Sequence, residues 1–229
     1  MDTPADSATV ILLRDAAEAS SEVLLVRRHA DSRAFAGAHV FPGGRVDDAD
    51  ASDVIQARCA DLTAAVAVAR LGETLAPAAA LAFWVAAIRE LFEETGVTVT
   101  ADGVVAADSF QPTDQAPPSV EQLSALCHWI APPDVPVRFD ARYFTVAAAP
   151  DVTVVPDGRE VTRAWWTAPS VLLTEWEAGD RKLYWPTWLT VTELAACATV
   201  PDVLALHFEA RDPTPDEEAN MPVHVMEQV

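Results

Sequence analysis

Three glutamates lie close together near the end of a predicted helix. Glu90, Glu93 and Glu94 occupy positions i, i+3 and i+4, so a helix places all three on one side. Like charges at this spacing repel one another, and Gly96 marks a helix end, where the helix dipole disfavours further negative charge. Clustered carboxylates suit a hard divalent cation such as Mg²⁺. The pattern predicts a metal site; the alternative is a solvated acidic helix end.

A glycine turn precedes this helix in the chain. Gly43 and Gly44 follow a short apolar run and permit a tight turn whose backbone N–H groups are exposed. Such a turn can approach phosphate oxygens closely. Four arginines fall near the turn in the sequence: Arg27, Arg28, Arg33 and Arg45. They are candidates for attracting an anionic substrate; ordinary surface arginines are the alternative.

Together the two motifs resemble the Nudix box. In that motif a glycine, five residues, an acidic residue, a spacer and an Arg-Glu-x-x-Glu-Glu-x-Gly run form a loop, a helix and a loop. Gly44 and Asp50 fit the first half, and residues 89–96 fit the second. The spacer holds 38 residues, 51–88, where the family usually has seven, and Asp50 stands where the family usually has Glu. The resemblance implies a Nudix-type α/β/α sandwich with a mixed central sheet, a helical insertion inside the box and C-terminal helices.

The same resemblance implies roles for the residues of the box. Glu90 and Glu94 are expected to bind Mg²⁺ or Mn²⁺, with Glu93 as a third or water-mediated ligand. The backbone carbonyl of Gly44 is a further expected metal ligand. Arg89 is expected to orient Glu93, which lies one helical turn further on.

The general base is left open by the sequence. Nudix enzymes take it either from the box helix, which carries Glu93 and Glu94 here, or from a carboxylate outside the box. Glu160, which follows a predicted turn and begins a predicted strand, is the outside candidate. The alternative for Glu160 is a surface carboxylate on an edge strand. His39 either binds phosphate or is a satisfied strand residue.

A further pattern bears on the substrate. The paired leucines Leu24-Leu25, Arg33, Gly37 and the run Phe41-Pro42-Gly43-Gly44 have the spacing found in Nudix enzymes that act on coenzyme A. The long insertion is similar to that of a branch with a split box, which includes a peroxisomal coenzyme A diphosphatase. The resemblance implies hydrolysis of the diphosphate in coenzyme A, acyl-coenzyme A or a related nucleotide conjugate. The predicted substrate-binding residues are Arg33, Gly37, Phe41, Gly43, Gly44 and Arg45.

Two other functions remain open at this stage. One is hydrolysis of ADP-ribose or a reduced nicotinamide dinucleotide. The other is a catalytically silent Nudix module that binds nucleotide or a partner. The four tryptophans Trp165, Trp166, Trp185 and Trp188 either stack on an adenine or pack in the core. Arg138 and Arg142, on one side of a predicted strand, either hold a second phosphate or pair with carboxylates.

Composition limits the partners and the location. The chain has 229 residues, with 35 acidic against 15 basic residues and a net charge of −20. This charge argues against nucleic acid and anionic membranes as partners. The three cysteines are far apart and odd in number, which favours reduced thiols. We expect a cytoplasmic protein with a small-molecule nucleotide diphosphate substrate; whether it forms a homodimer is left open.

Periodicity and turn residues predict the elements that position these motifs. We expect one domain over residues 1–209, with a helical insertion at 51–77 and an acidic, proline-containing tail at 210–229 that is mobile or an interface arm. Predicted strands cover 9–13 and 22–26 as a hairpin, then 39–41, 97–99, 138–146 and 160–166. Predicted helices cover 78–95, 120–130 and 168–178, with a last helix after the tryptophan-rich stretch that begins at 183. A proline-rich loop is predicted at 111–118.

Overall fold

A mixed sheet forms the centre of the protein in the computed structural model, which describes residues 3–16, 21–59, 61–72, 74–108, 118–133 and 137–220. Strand β1 (Ala5–Asp15) lies in the middle, antiparallel to β2 (Ser21–Arg28) and parallel to β8 (Phe139–Ala147). The pairing of β1 with β2 confirms the predicted hairpin.

Six further strands complete the sheets in the described residues. In the large sheet, β3 (His39–Val40) and β9 (Val161–Thr167) pair with β2, β4 (Gly43–Arg45) pairs with β1, and β7 (Ser124–Ile130) pairs with β8. Strands β5 (Val97–Thr100) and β6 (Gly103–Ala106) form a separate hairpin. The parallel pair among antiparallel ones makes the large sheet mixed, as predicted.

Helices cover both faces of this sheet because its central strands are apolar on both sides. On β1, Val10 and Leu12 pack against the helix α3 (Pro77–Thr95), whereas Ile11 and Leu13 belong to the core on the other face. Helices α4 (Pro169–Glu177) and α5 (Trp185–Ala195) cover that second face, followed by α6 (Val200–Leu204) and α7 (Pro215–Asn220). This alternation produces the predicted α/β/α sandwich.

The long helix α3 has the features that its sequence predicts. Pro77 occupies its first turn, where a missing N–H group has no cost. Its predicted apolar face is buried: Leu81, Trp84, Val85, Ile88 and Leu91 are each at most 3% exposed. Gly96 ends the helix in the left-handed conformation, with φ of 69°. The last two turns are therefore fixed against the sheet.

The insertion folds onto α3 and keeps the two halves of the motif together. A short 3-10 helix (Asp48–Ala51) leads into α1 (Asp53–Cys59) and α2 (Ala64–Leu71). The amide Nε2 of Gln56 donates to the carbonyl of Asp50 at 3.2 Å and to that of Ala78 at 2.8 Å. This buried amide thus connects the end of the first half to the start of the helix that carries the second.

One predicted helix is wrong. Residues 120–130 form a 3-10 turn (Val120–Gln122) followed by strand β7, which pairs with β8 along its length. The short apolar run is compatible with either structure by periodicity alone. These residues form a strand because the edge of β8, which is distant in sequence, supplies hydrogen-bonding partners for their backbone.

Two other predictions need adjustment, and one lies mostly outside the described residues. Helix α5 begins at Trp185, so the tryptophan-rich stretch lies within the helix rather than before it. Part of the predicted tail is anchored: Trp185 Nε1 donates to the carbonyl of Arg211 at 2.7 Å, and Arg211 pairs with Glu217. The predicted loop at 111–118 lies outside the described residues except for Pro118. None of the helices described is both long and apolar enough to cross a membrane.

His39 has a structural position at the edge of the sheet. Its Nδ1 accepts a hydrogen bond from the backbone N–H of Lys182 at 3.0 Å, and its ring meets the edge of Trp165 at 5.1 Å. Burial, together with the charges of Arg181 and Arg27, lowers the pKa of His39 from 6.5 to about 4. The neutral imidazole holds strand β3 to the segment before α5.

We expect this histidine to make folding stability depend on pH. The folded-state pKa lies below the unfolded-state value, so between pH 6.5 and 4 the unfolded chain binds more protons at this site. Stability from His39 is complete above pH 6.5 and decreases as pH falls toward 4, by roughly 3 kcal/mol in total. Urea denaturation at several pH values should show this decrease in the wild type and not in His39→Gln. The exposed His207→Gln is the control, and an equal pH dependence in wild type and His39→Gln would contradict the assignment.

Candidate active site

The glycine turn lies directly against the end of helix α3. Strand β4, which contains both glycines, pairs with β1 and also contacts α3. The backbone N–H of Gly43 donates to Glu94 Oε2 at 3.0 Å. A Cβ added at Gly44 would lie 2.5 Å from Glu90 Oε1, so only glycine leaves room for this carboxylate. The two halves of the motif therefore form one site, despite the 38 residues between them.

Glu94 is the most buried carboxylate of the site, with 2% of its surface exposed. Burial raises its pKa to about 8, and the negative charges of Glu90 and Glu160 act in the same direction. Its Oε1 accepts no hydrogen bond from any described residue; the nearest cation is Arg28, with Nη1 at 3.7 Å. One oxygen of Glu94 is thus fixed by the turn while the other lacks a hydrogen-bond donor.

Arg28 is a site residue that the sequence indicated only as one of a group. It follows Leu24 and Val26 in the alternation of β2, so its side chain is on the face covered by α3. Strand periodicity could have singled it out, because it is the charged residue that continues a buried apolar face. Its neighbour Arg27 is directed to the opposite face.

Glu90 lies beside Glu94 and is also buried, with 9% exposure. Burial raises its pKa to about 7; the cation of Arg89 opposes this shift, and the charges of Glu93 and Glu160 add to it. Two neighbouring carboxylates that burial drives toward neutrality are stabilised in their charged form by a bound cation.

Arg89 holds the two halves of the motif together. Its Nε and Nη2 donate to the two carboxylate oxygens of Asp50, each at 2.9 Å, in a bidentate pair. Nη2 also donates to the carbonyl of Arg45 at 2.8 Å, and Nη1 donates to Glu90 at 2.9 Å and to Glu93 at 3.1 Å. Burial disfavours the charge on Arg89, but these partners raise its pKa above the ordinary value. The predicted contact with Glu93 is present.

Asp50 thereby has a role that the sequence left open. It is 1% exposed, and beyond Arg89 it accepts the backbone N–H of Asp47 at 2.8 Å. The shorter aspartate side chain is sufficient because the insertion carries its backbone close to α3. Asp50 positions Arg89, and through it Glu90.

Glu93 differs from its two neighbours on the helix. Its side chain is 52% exposed and turns to Arg89. Across the described residues, no group of three His, Cys, Asp or Glu side chains is placed to hold a metal ion by itself. Glu90 and Glu94 are therefore the two buried carboxylates of the site, and the role of Glu93 as a third or water-mediated ligand stays a prediction.

These groups fit a divalent cation. Mg²⁺ keeps several waters and commonly binds proteins through one or two carboxylates together with substrate phosphates. Oε1 of Glu94 accepts no hydrogen bond from the described residues, and the Glu90 carboxylate lies against the backbone of Gly44. Glu90 and Glu94 are the side chains that would hold the ion, and the missing side chain of Gly44 leaves room for the Glu90 carboxylate.

Glu160 lies near this pair although it is far away in sequence. Val155 and Asp157 donate their backbone N–H groups to the carbonyls of Thr95 and Glu94, so the turn before β9 crosses the end of α3. The carboxylate of Asp157 accepts the backbone N–H of Glu160 at 3.1 Å and fixes that turn. Glu160 is exposed, and its charge contributes to the raised pKa values of both Glu90 and Glu94. Its predicted role as a base stays a prediction with a compatible position.

The predicted substrate-binding residues are in different environments. Arg33 and Gly37 lie on the loop between β2 and β3, where Arg33 is exposed. Arg45 is exposed beside the ring of Phe139, with 6.0 Å between its guanidinium and the ring centre. Phe41 is 3% exposed and packs in the core on the α5 face of the sheet. Its apolar ring is used for packing, so the predicted substrate contact of Phe41 is corrected.

Arg138 and Arg142 have structural partners. Arg142 is 4% exposed, bonds Asp140 and lies 4.0 Å from the ring centre of Phe83. Arg138 donates to the backbone carbonyls of Ala131 and Pro132. Of the two alternatives for these arginines, pairing within the protein is the one observed.

We expect Asp50→Asn to destabilise the protein. The change leaves the buried guanidinium of Arg89 without its bidentate carboxylate, and removing one partner of a buried ion pair costs about 3–5 kcal/mol. Chemical denaturation measures this loss. The exposed Asp48→Asn carries the same change of charge and should alter the free energy of unfolding by less than about 0.5 kcal/mol. Equal effects of the two variants would refute the role of Asp50.

Alanine at the two glycines should separate metal binding from folding. In Gly44→Ala the new methyl group displaces the Glu90 carboxylate, so Mn²⁺ affinity should fall about tenfold or more with little change in melting temperature. In Gly43→Ala the methyl group would lie 2.8 Å from Thr9 Cα, and the backbone of β1 must move, at a cost of about 1–3 kcal/mol. Calorimetric Mn²⁺ titration and thermal unfolding measure the two effects. A loss of stability in Gly44→Ala together with unchanged stability in Gly43→Ala would contradict this geometry.

Comparison with known proteins identifies the fold. No protein-family model and no curated protein matches the chain. A NUDIX hydrolase from Alicyclobacillus acidocaldarius is 24% identical over 90% of this chain and 98% of its own, with a TM-score of 0.69. The NUDIX domain of Shewanella oneidensis NrtR, solved with ADP ribose, is 15% identical over 85% of this chain and 88% of its own, with a TM-score of 0.50. The chain therefore has the fold of the Nudix hydrolases.

Proposed function

We propose that this protein is a divalent-metal-dependent diphosphatase that hydrolyses nucleoside diphosphate derivatives. Fold alone does not establish an activity, so the proposal depends on the site. The observation that carries it is the pair of buried carboxylates, Glu90 and Glu94, held against the glycine turn, with Glu94 Oε1 accepting no hydrogen bond from the described residues. A buried pair of carboxylates of this kind lowers folding stability and favours the binding of a cation.

The chemistry consists of water attacking a phosphorus atom of the diphosphate, with a nucleoside monophosphate leaving. Bound Mg²⁺ or Mn²⁺ would neutralise charge on the diphosphate oxygens and acidify a water molecule. Gly43 fixes the orientation of Glu94 through its backbone N–H, and Arg89 fixes that of Glu90. Glu160 is our candidate for accepting the proton of the attacking water, and its exposure and its electrostatic effect on both carboxylates support this role.

Coenzyme A or acyl-coenzyme A is our first candidate substrate. The spacing of Arg33, Gly37 and the glycine turn supports it, together with the helical insertion between Asp50 and Arg89. ADP-ribose is the second candidate, because the NrtR domain of similar fold was solved with that ligand. A silent binding module is a weaker candidate, since both buried carboxylates and the arginine that positions Glu90 are present.

A panel of diphosphate substrates with Mg²⁺ and with Mn²⁺ tests the proposal. Coenzyme A cleavage should produce 3′,5′-ADP and phosphopantetheine, which chromatography separates. Cleavage of ADP-ribose without cleavage of coenzyme A would select the second candidate. Hydrolysis of none of the diphosphates with either metal would reject the enzymatic function.

We expect Glu90→Gln and Glu94→Gln to abolish most turnover while leaving the fold intact. Each change removes a cation-binding charge, so kcat should fall at least about a hundredfold. Each change also relieves charge repulsion in a buried pair, so the free energy of unfolding should stay within about 1 kcal/mol of wild type. Steady-state kinetics and thermal unfolding measure the two effects. Glu177→Gln, on an exposed helix end, is the matched control, and a collapse of the melting temperature in Glu94→Gln would contradict the proposal.

A further inference from the structure

A basic cleft lies on the opposite face of the sheet from the carboxylate pair. It has a volume of about 430 Å³, and its wall includes Arg27, Arg163, Arg181, His39 and Trp165. Three strands build its base in register, since Arg27 of β2 is paired with His39 of β3 on one side and with Arg163 of β9 on the other. Side chains that are paired across neighbouring strands share one face.

Two of the cleft arginines are placed unfavourably for a protein without a ligand. Arg27 and Arg163 are direct cross-strand partners, and like charges in such positions repel each other. Both are exposed, and neither guanidinium makes a hydrogen bond or ion pair with another described residue. No described carboxylate forms an ion pair with either arginine, although the chain has 35 acidic residues.

The side chain of the third arginine, Arg181, is held in place by contacts within the protein. Arg181 is held by Glu175, with Nε and Nη2 at 2.8 and 3.2 Å from its carboxylate oxygens, and it stacks 4.5 Å from the ring centre of Trp165. Glu175 neutralises one of the three positive charges, so the three arginines and this glutamate leave an excess of two. The charges of Arg181 and Arg27 also contribute to the lowered pKa of His39, after its burial. The cleft therefore has a positive field in a protein whose net charge is −20.

The cleft is separate from the carboxylate site but close to it along the chain. Arg27 and Arg28 are consecutive on β2, so their side chains lie on opposite faces, and Arg28 is the one that approaches Glu94. Thr162, which lines the cleft, follows Glu160 by two residues. The two sites therefore lie back to back at the same end of the strands. Substitution of Arg27 and Arg163 therefore tests the cleft without changing Glu90 or Glu94 of the carboxylate site.

We propose that this cleft binds a phosphate group through Arg27, Arg163 and Arg181. The planar guanidinium matches phosphate oxygens in bidentate geometry, which makes clustered arginines suited to this anion. A phosphate between Arg27 and Arg163 converts their repulsion into two attractive contacts. The phosphate is either a remote group of the substrate or a separate ligand; the chemistry of recognition is the same for both.

Calorimetric titration of inorganic phosphate and of pyrophosphate into metal-free protein tests the cleft independently of the proposed function. The wild type should bind at least one of the two anions, and the double variant Arg27→Gln/Arg163→Gln should bind it at least about tenfold more weakly. Arg70→Gln removes one positive charge, as each of the two cleft substitutions does, from an exposed position on α2 and should bind as the wild type does. Thermal unfolding verifies that the variants are folded, which their exposed positions favour.

The inference is overturned if neither anion binds the wild-type protein. It is also overturned if the double variant binds both anions as tightly as the wild type, or if Arg70→Gln weakens binding to the same extent as the double variant. The last result would indicate a general effect of charge.

A second arm, which relies on the proposed function, identifies the source of the phosphate. With Mg²⁺ present, hydrolysis is compared for two nucleoside diphosphate conjugates that differ only in an extra phosphomonoester on the ribose. A roughly tenfold higher KM of the double variant for the conjugate with the extra phosphate, at unchanged kcat, supports the cleft as a substrate subsite. Unchanged KM for both conjugates, together with lost phosphate binding, supports a cleft for a separate phosphate ligand. If no conjugate is hydrolysed, the proposed function fails while the calorimetric result stands.

Discussion

The bidentate pair between Arg89 and Asp50 is the interaction on which the site depends. It connects the end of the first half of the motif to the last two turns of α3, and the same guanidinium also bonds Glu90, Glu93 and the carbonyl of Arg45. A buried guanidinium is stable only when its donors are satisfied, so the position of each partner is restricted by the others. This network holds the glycine strand β4 and the helix in a fixed relation, although their sequences are separated by a helical insertion.

The burial of Glu90 and Glu94 is unfavourable for stability in the absence of a cation. Burial raises the pKa of each, and each negative charge disfavours ionisation of the other. The rest of α3 offsets this strain, because its apolar face is buried along its length and its end is fixed by Gly96. Strain of this kind at a site that binds charge is expected when the site is adapted to a ligand rather than to the empty protein.

The distribution of charge over the sheet has a functional consequence. The protein as a whole is strongly acidic, so an anionic substrate receives no general attraction to its surface. Positive charge is instead concentrated at one end of the strands, where Arg28 approaches Glu94 and Arg27 lines the cleft on the other face. Two consecutive residues of β2 thus serve two different surfaces because strand side chains alternate.

The sequence by itself determined the local parts of this protein. The apolar face of α3, its start at Pro77, its end at Gly96 and the β1–β2 hairpin all follow from short-range patterns, which are encoded by neighbouring residues. Only the tertiary structure decided that residues 124–130 form a strand, that Asp50 binds Arg89, that Glu93 is half-exposed beside Arg89 and that Phe41 is in the core. Each of these depends on a partner distant in sequence. A periodic pattern fixes which face a residue occupies, but it does not specify which distant group that face will meet.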